Sequence, residues 1–204
     1  NGMPGYDFII KPKTAELSIS IEPVHNTLYS LMLLVNDFDN SGLSPRLISI
    51  SKSMNEELKT RNKIIMIGLY HSVIPDKSGD DFETFLAELR NIEPEKLRDQ
   101  TLSVYSKLYE TKNSQPPVWA DVLKSEEEYL SFLLATFGSE KIDQEIEKEA
   151  YKYIINPEKL KDLLIFHLTE MWNNFFKSEW DYNKSLLEAS VKAYKEAGID
   201  SLDK

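Results

Sequence analysis

The sequence predicts a mainly α-helical, multi-helix fold with a short N-terminal β-hairpin and a long C-terminal helix. Three observations predict it. Apolar residues at i, i+3, i+4 and i+7 recur in segment after segment from residue 23 onward. Strict apolar/polar alternation is confined to the first 22 residues. Residues 156–197 contain no proline after Pro157 and no glycine before Gly198. The chain, 1–204, therefore reads as a single mostly helical domain. It comprises a hairpin arm (1–22), helices within 23–112, and helices within 118–198 that include the long helix, 157–197.

Within the arm, Phe8, Ile9 and Ile10 form one short run, and Leu17, Ile19 and Ile21 alternate with polar residues to form another. A lone hairpin is marginal in water, so this one must pack on helices or pair with another chain. Pro23 ends the strand, and 24–36 reads as a helix with Leu28, Leu31, Met32 and Val35 on one side. Residues 37–42 form an acidic loop that mimics the start of an EF-hand, with Asp37, Asp39, Ser41 and Gly42 in the first ligand positions. Ile48 stands where the bidentate Glu is required, so an acidic turn is the better reading.

Ser44-Pro45 opens a helix running to about Ser72, with a break near Ser53. Asp80 or Asp81 caps the next, which buries Phe82, Phe85, Leu86 and Leu89. The Ile92-Glu93-Pro94 step separates it from a helix over 95–109. A short connection at 113–117 leads to a helix over 126–137. Gly138 and Ser139 break that helix, and from Ser139 an acidic helix begins whose alternating charges predict a solvated face.

Asn156 then caps the long helix, Pro157 suits its first position, and Gly198 supplies a residue able to end it. Leu160, Leu163, Leu164, His167, Leu168, Met171, Trp172, Phe175 and Phe176 make one continuous face. Trp180, Leu187, Val191 and Tyr194 extend it past a bend near Ser178. Burying each large side chain contributes roughly 1.5–3 kcal/mol, so the rest of the chain should wrap this stripe.

Composition removes several classes of function. The formal net charge is −10, which nucleic acid repels, and no basic patch offsets it. The absence of cysteine excludes disulfides, thiolate metal sites and cysteine nucleophiles, and fits a cytoplasmic protein. No apolar run is long enough to span a membrane and no export signal is present. Phosphate-cradling glycine loops, HExxH and GxSxG are absent too, and the sequence calls for no cofactor. His25, His71 and His167 are far apart, so no metal site is expected.

The candidate site lies on the long helix. His167 is a polar residue on an apolar stripe. It is either a core histidine satisfied by its neighbours or a polar contact in a ligand pocket, with Glu170 close enough for acid/base work. Met171, Trp172, Phe176 and Trp180 form an aromatic-rich segment that is core, the wall of an apolar cavity, or a dimer contact.

Three segments together resemble a known family. Residues 21–34 (IEPVHNTLYSLMLL) are similar to the strand-then-helix opening of ArsR-like bacterial transcriptional regulators. Residues 85–97 (FLAELRNIEPEKL) resemble their helix, Pro-Glu, helix segment. Residues 171–191 (MWNNFFKSEWDYNKSLLEASV) resemble their tryptophan-rich helix. The resemblance implies the N-terminal helical domain that precedes a DNA-binding winged helix-turn-helix, and no winged helix is expected within 1–204. The chain is then expected to sense a small apolar effector, to form a homodimer, or both. It would reach DNA only through that further domain, and it would not be an enzyme. The alternatives are a stand-alone helical enzyme or small-molecule-binding protein with a pocket near His167, and a protein-interaction module pairing through the hairpin.

Overall fold

The computed structural model describes residues 22–36, 43–77 and 79–202. Among them the structure is helical and contains no strand. The hairpin expected over 6–22 and the acidic loop at 37–42 lie outside the described residues, apart from Glu22.

Side-chain caps and prolines set the helix boundaries. Helix α1 (Pro23–Leu33) starts on its proline. In α2 (Pro45–Ser53), Ser44 Oγ accepts from the Leu47 amide at 3.3 Å. The expected break follows at Met54, and Asn55 Oδ1 caps α3 (Glu56–Lys63) by accepting from Leu58 N at 2.8 Å. Asp81, not Asp80, caps α4 (Phe82–Asn91) through Thr84 N at 2.7 Å. That bond holds its carboxyl below the usual range. Pro94 opens α5 (Pro94–Asn113), which ends on Ser114 in the left-handed region at φ 61°. That conformation costs a serine more than the glycine usually found there.

A short turn, α6 (Trp119–Val122), leads to α7 (Glu126–Phe137). Ser125 Oγ accepts from Glu128 N at 3.1 Å in a Ser-x-x-Glu arrangement. The acidic helix starts later than Ser139: a 3₁₀ turn (Ser139–Lys141) precedes Asp143, which caps α8 (Gln144–Ile154). Asn156 Oδ1 accepts from Lys159 N and Pro157 takes the first position of α9 (Pro157–Met171).

Two irregular turns interrupt this pattern. After α3 the chain widens into a π-helical turn, Ile64–Gly68, then tightens into a 3₁₀ turn, Tyr70–Ser72. After α9 a second π turn, Trp172–Phe176, leads into α10 (Lys177–Leu202). The irregularity expected near Ser178 thus falls earlier in the helix. Gly198 does not end the helix, which runs on to Leu202. Glycine permits termination but does not compel it when the next residues remain helical.

Helix α9 is central. It packs against α4, α5 and α8, while α8 covers the first π turn. The predicted stripe faces inward over its first half: Leu160, Leu164, His167, Leu168, Met171, Trp172 and Phe176 are buried, and Leu163, Phe175 and Trp180 half-buried. Its expected extension is not wrapped by the described residues: Leu187 is half-buried, and Val191 and Tyr194 are exposed, because no described element packs over that part of the helix. From Asp181 to Ala197, α10 is exposed except at Asn183 and Leu187, which are half-buried.

Candidate functional site

His167 has no exposed surface. Arg61 Nε donates to its Nδ1 at 3.0 Å, so Nδ1 carries a lone pair and Nε2 carries the hydrogen. Nε2 then donates to Asn62 Oδ1 at 2.9 Å, and Asn62 Nδ2 donates to the Leu31 carbonyl at 2.8 Å. Arg61 also pairs with Glu170 and lies over the exposed ring of Phe166, 4.6 Å from its centroid. Burial first, and the Arg61 charge second, push the imidazole down to about 3. It is neutral near pH 7, with both nitrogens occupied. Glu170 bonds Arg61 rather than the imidazole. This arrangement orders three elements around a satisfied core histidine and leaves no nitrogen free to take or give a proton.

Arg61 and Asn62 come just before the first π turn, and His167 and Glu170 just before the second. The hydrogen-bond chain therefore ties together the two places where the helices widen. π turns concentrate at functional positions in helices, but here the turns are themselves packed into the core, at Ile65 and Met66 and at Trp172 and Phe176.

Trp172, Phe176 and Trp180 come together, while His167 and Met171 lie elsewhere in the core. Trp172 stacks on Phe82 with centroids 4.4 Å apart and planes 13° from parallel. Arg46 lies 5.3 Å from the Phe176 centroid, bonds Glu179 at 2.6 Å and reaches Ser30 Oγ at 3.3 Å. Between these groups is a cavity of about 10 Å³, bordered also by Asn26 and Thr27. That is about the space of one water, far below the roughly 300–1,000 Å³ of small-molecule pockets. The indole N–H groups of Trp172 and Trp180 are buried without partners among the described residues.

A second buried polar cluster was not foreseen. The acidic helix does not keep all its charges in water: Glu147 is buried with Ala150, Tyr151 and Ile154. Its Oε2 and the Tyr129 hydroxyl lack partners among the described residues. Desolvation first, and the Asp143 charge second, push the carboxyl up to about 8. The Tyr105 and Tyr129 hydroxyls are raised for the same reasons, burial and then neighbouring groups that include Glu147. The signal was present in the sequence: Glu147, Ala150, Tyr151 and Ile154 share i, i+3, i+4, i+7 spacing. Gly68 lies against this helix so closely that an added Cβ would stand 2.4 Å from Ala150 Cβ.

His25 is exposed and 3.5 Å from Glu22; His71 is half-buried, its ring nearly perpendicular to that of Tyr105. No group of three metal-ligating side chains occurs among the described residues, and no described helix is long and apolar enough to cross a membrane. Comparison with protein-family models, with curated proteins and with solved structures finds no match for this chain.

Proposed function

We propose that this chain is the helical sensing or dimerising domain of an ArsR-like transcriptional regulator. In that reading it works as a homodimer, and DNA is bound by a winged helix-turn-helix in the same regulator. One observation carries it: a helical path runs from the middle of the core in α9, through the π turn, into the exposed α10. A state of the core can reach whatever α10 touches by moving that lever. The three-segment sequence resemblance supports the same reading.

The cavity at Trp172, Phe176 and Trp180 favours the dimerising half over the sensing half. A small apolar effector would have to open that segment, and would act only by binding two conformations unequally. The enzyme reading loses its support at His167, whose nitrogens are both engaged. Reading the coding frame downstream of Lys204 tests the regulator: an in-frame winged helix is expected, and a frame without one overturns the reading.

A further inference from the structure

The exposed part of α10 is sharply two-sided. At about 100° per residue, Asp181, Lys184, Glu188, Lys192, Lys195 and Glu196 fall within an arc of roughly 120°. The rest of the circumference from 181 to 197 is uncharged. It presents Tyr182, Leu186, Val191 and Tyr194, which are 64%, 49%, 43% and 69% exposed. Leu187, three alanines, Asn183 and Ser190 complete it. The four large side chains stand in water at a cost that a covering surface would remove.

We propose that this face pairs, antiparallel, with the same face of a second copy of the chain. The proposal rests on the regulator reading only in supplying the dimer that such a regulator needs. Charge points to the occupant. The acids Asp181, Glu188 and Glu196 balance the bases Lys184, Lys192 and Lys195, while the whole chain carries −10. Two copies can therefore meet along α10 without local repulsion, whereas an anionic membrane or nucleic acid gains no attraction from it.

Shape points the same way. Ser190 lies at the centre of the uncharged arc. An antiparallel pair with its two-fold axis there sets Leu187 of one copy against Ala193 of the other, Asn183 against Ala197, and Leu186 against Tyr194. Two of these layers match a larger residue with a smaller one, as close helix packing requires. The stretch is about 25 Å long, and the face offers on the order of 500 Å² per copy. About 1,000 Å² for the pair is at the lower edge of specific interfaces, so the dimer should dissociate on dilution.

The test uses the whole chain in sedimentation equilibrium and oxidative cross-linking. A monomer–dimer equilibrium is expected, weakened at least about tenfold by Leu186→Lys and by Tyr194→Lys. Both positions are exposed, so an unchanged thermal melt of each variant at low concentration confirms that it folds. Because the natural chain has no cysteine, a mixture of Leu187→Cys and Ala193→Cys chains should cross-link to each other faster than either does to itself. A chain that remains monomeric at high micromolar concentration overturns the proposal. So does a dimer indifferent to both lysine substitutions, or preferential Leu187→Cys self-cross-linking. The absence of a downstream winged helix would overturn the regulator reading and leave this result unaffected.

Discussion

The Nε–H of Arg61 donates to Nδ1 of His167 across 3.0 Å and fixes the tautomer on which the rest of the buried chain depends. With Nδ1 occupied, only Nε2–H can face Asn62, and only the oxygen of Asn62 can receive it. One surface-reaching guanidinium thus sets the direction of three consecutive hydrogen bonds.

Pairwise replacement should reveal this chain. Asn62→Leu orphans the imidazole N–H, and His167→Phe orphans the Asn62 oxygen. Each single change should cost about 1–3 kcal/mol in the orphaned group alone. The double variant should cost less than the sum, with a coupling of about 1–3 kcal/mol in a urea-unfolding cycle. Strict additivity would mean that the Asn62–His167 bond is not formed.

Stability should peak in mildly acid solution. His167 is held down at about 3 in the fold against 6.5 in the free side chain. Below pH 6.5 the unfolded chain takes up a proton that the folded chain refuses, so this contribution is lost as pH falls toward 3. Glu147 is held up at about 8 against 4.5. Above pH 4.5 the unfolded chain releases a proton that the folded chain retains, so this contribution is lost as pH rises toward 8. Between pH 4.5 and 6.5 the two slopes cancel. Each limb outside that window is worth on the order of 2 kcal/mol, because the rest of each group's contribution is cancelled within it. Glu147→Gln should flatten the alkaline limb and spare the acid one, measured by denaturant midpoints across pH.

Gly68→Ala should destabilise the protein by about 1–3 kcal/mol, because its new methyl meets Ala150 Cβ in a close-packed core. Ala150→Gly removes the obstructing methyl and should return part of that loss, less the helix propensity forfeited. A thermal melt of the double variant no better than that of Gly68→Ala would place the conflict elsewhere.

Trp172→Ala should cost about 3–5 kcal/mol by removing the ring stacked on Phe82. The space left is flanked by the rings of Phe82 and Trp180, so millimolar indole should restore part of the melting temperature of the variant and none of that of the natural chain. An equal response in both would indicate an open site already present beside Trp180.

Much of the helical order was legible from the sequence because short-range chemistry decides it. Asn156-Pro157, Ser44-Pro45 and Asp81 place helix starts through side-chain oxygens and a fixed φ, and those signals lie within a few residues of the boundary they set. The inward face of α9 followed from spacing alone. The partners of His167 did not, because Arg61 and Asn62 are over a hundred residues away and reach it only through packing. Glu147 was misplaced for a related reason: charge pattern along α8 predicted solvent, while the apolar spacing around that residue predicted burial, and burial prevailed. The π turns were missed because Ile64–Gly68 and Trp172–Phe176 read as ordinary apolar helix.

The π turn at Trp172–Phe176 takes one residue more than an α turn. In a regular helix one residue more or less turns everything beyond it by about 100°, and the wide turn absorbs that change. Deleting Asn173 or Asn174, both exposed, should therefore let the turn close as an ordinary α turn and leave α10 on its present bearing. The same deletion in the regular helix after Phe176 would swing the uncharged side of α10 away without the loss of a single apolar residue. The aim of the arm is thus buffered against a change of length at this one turn.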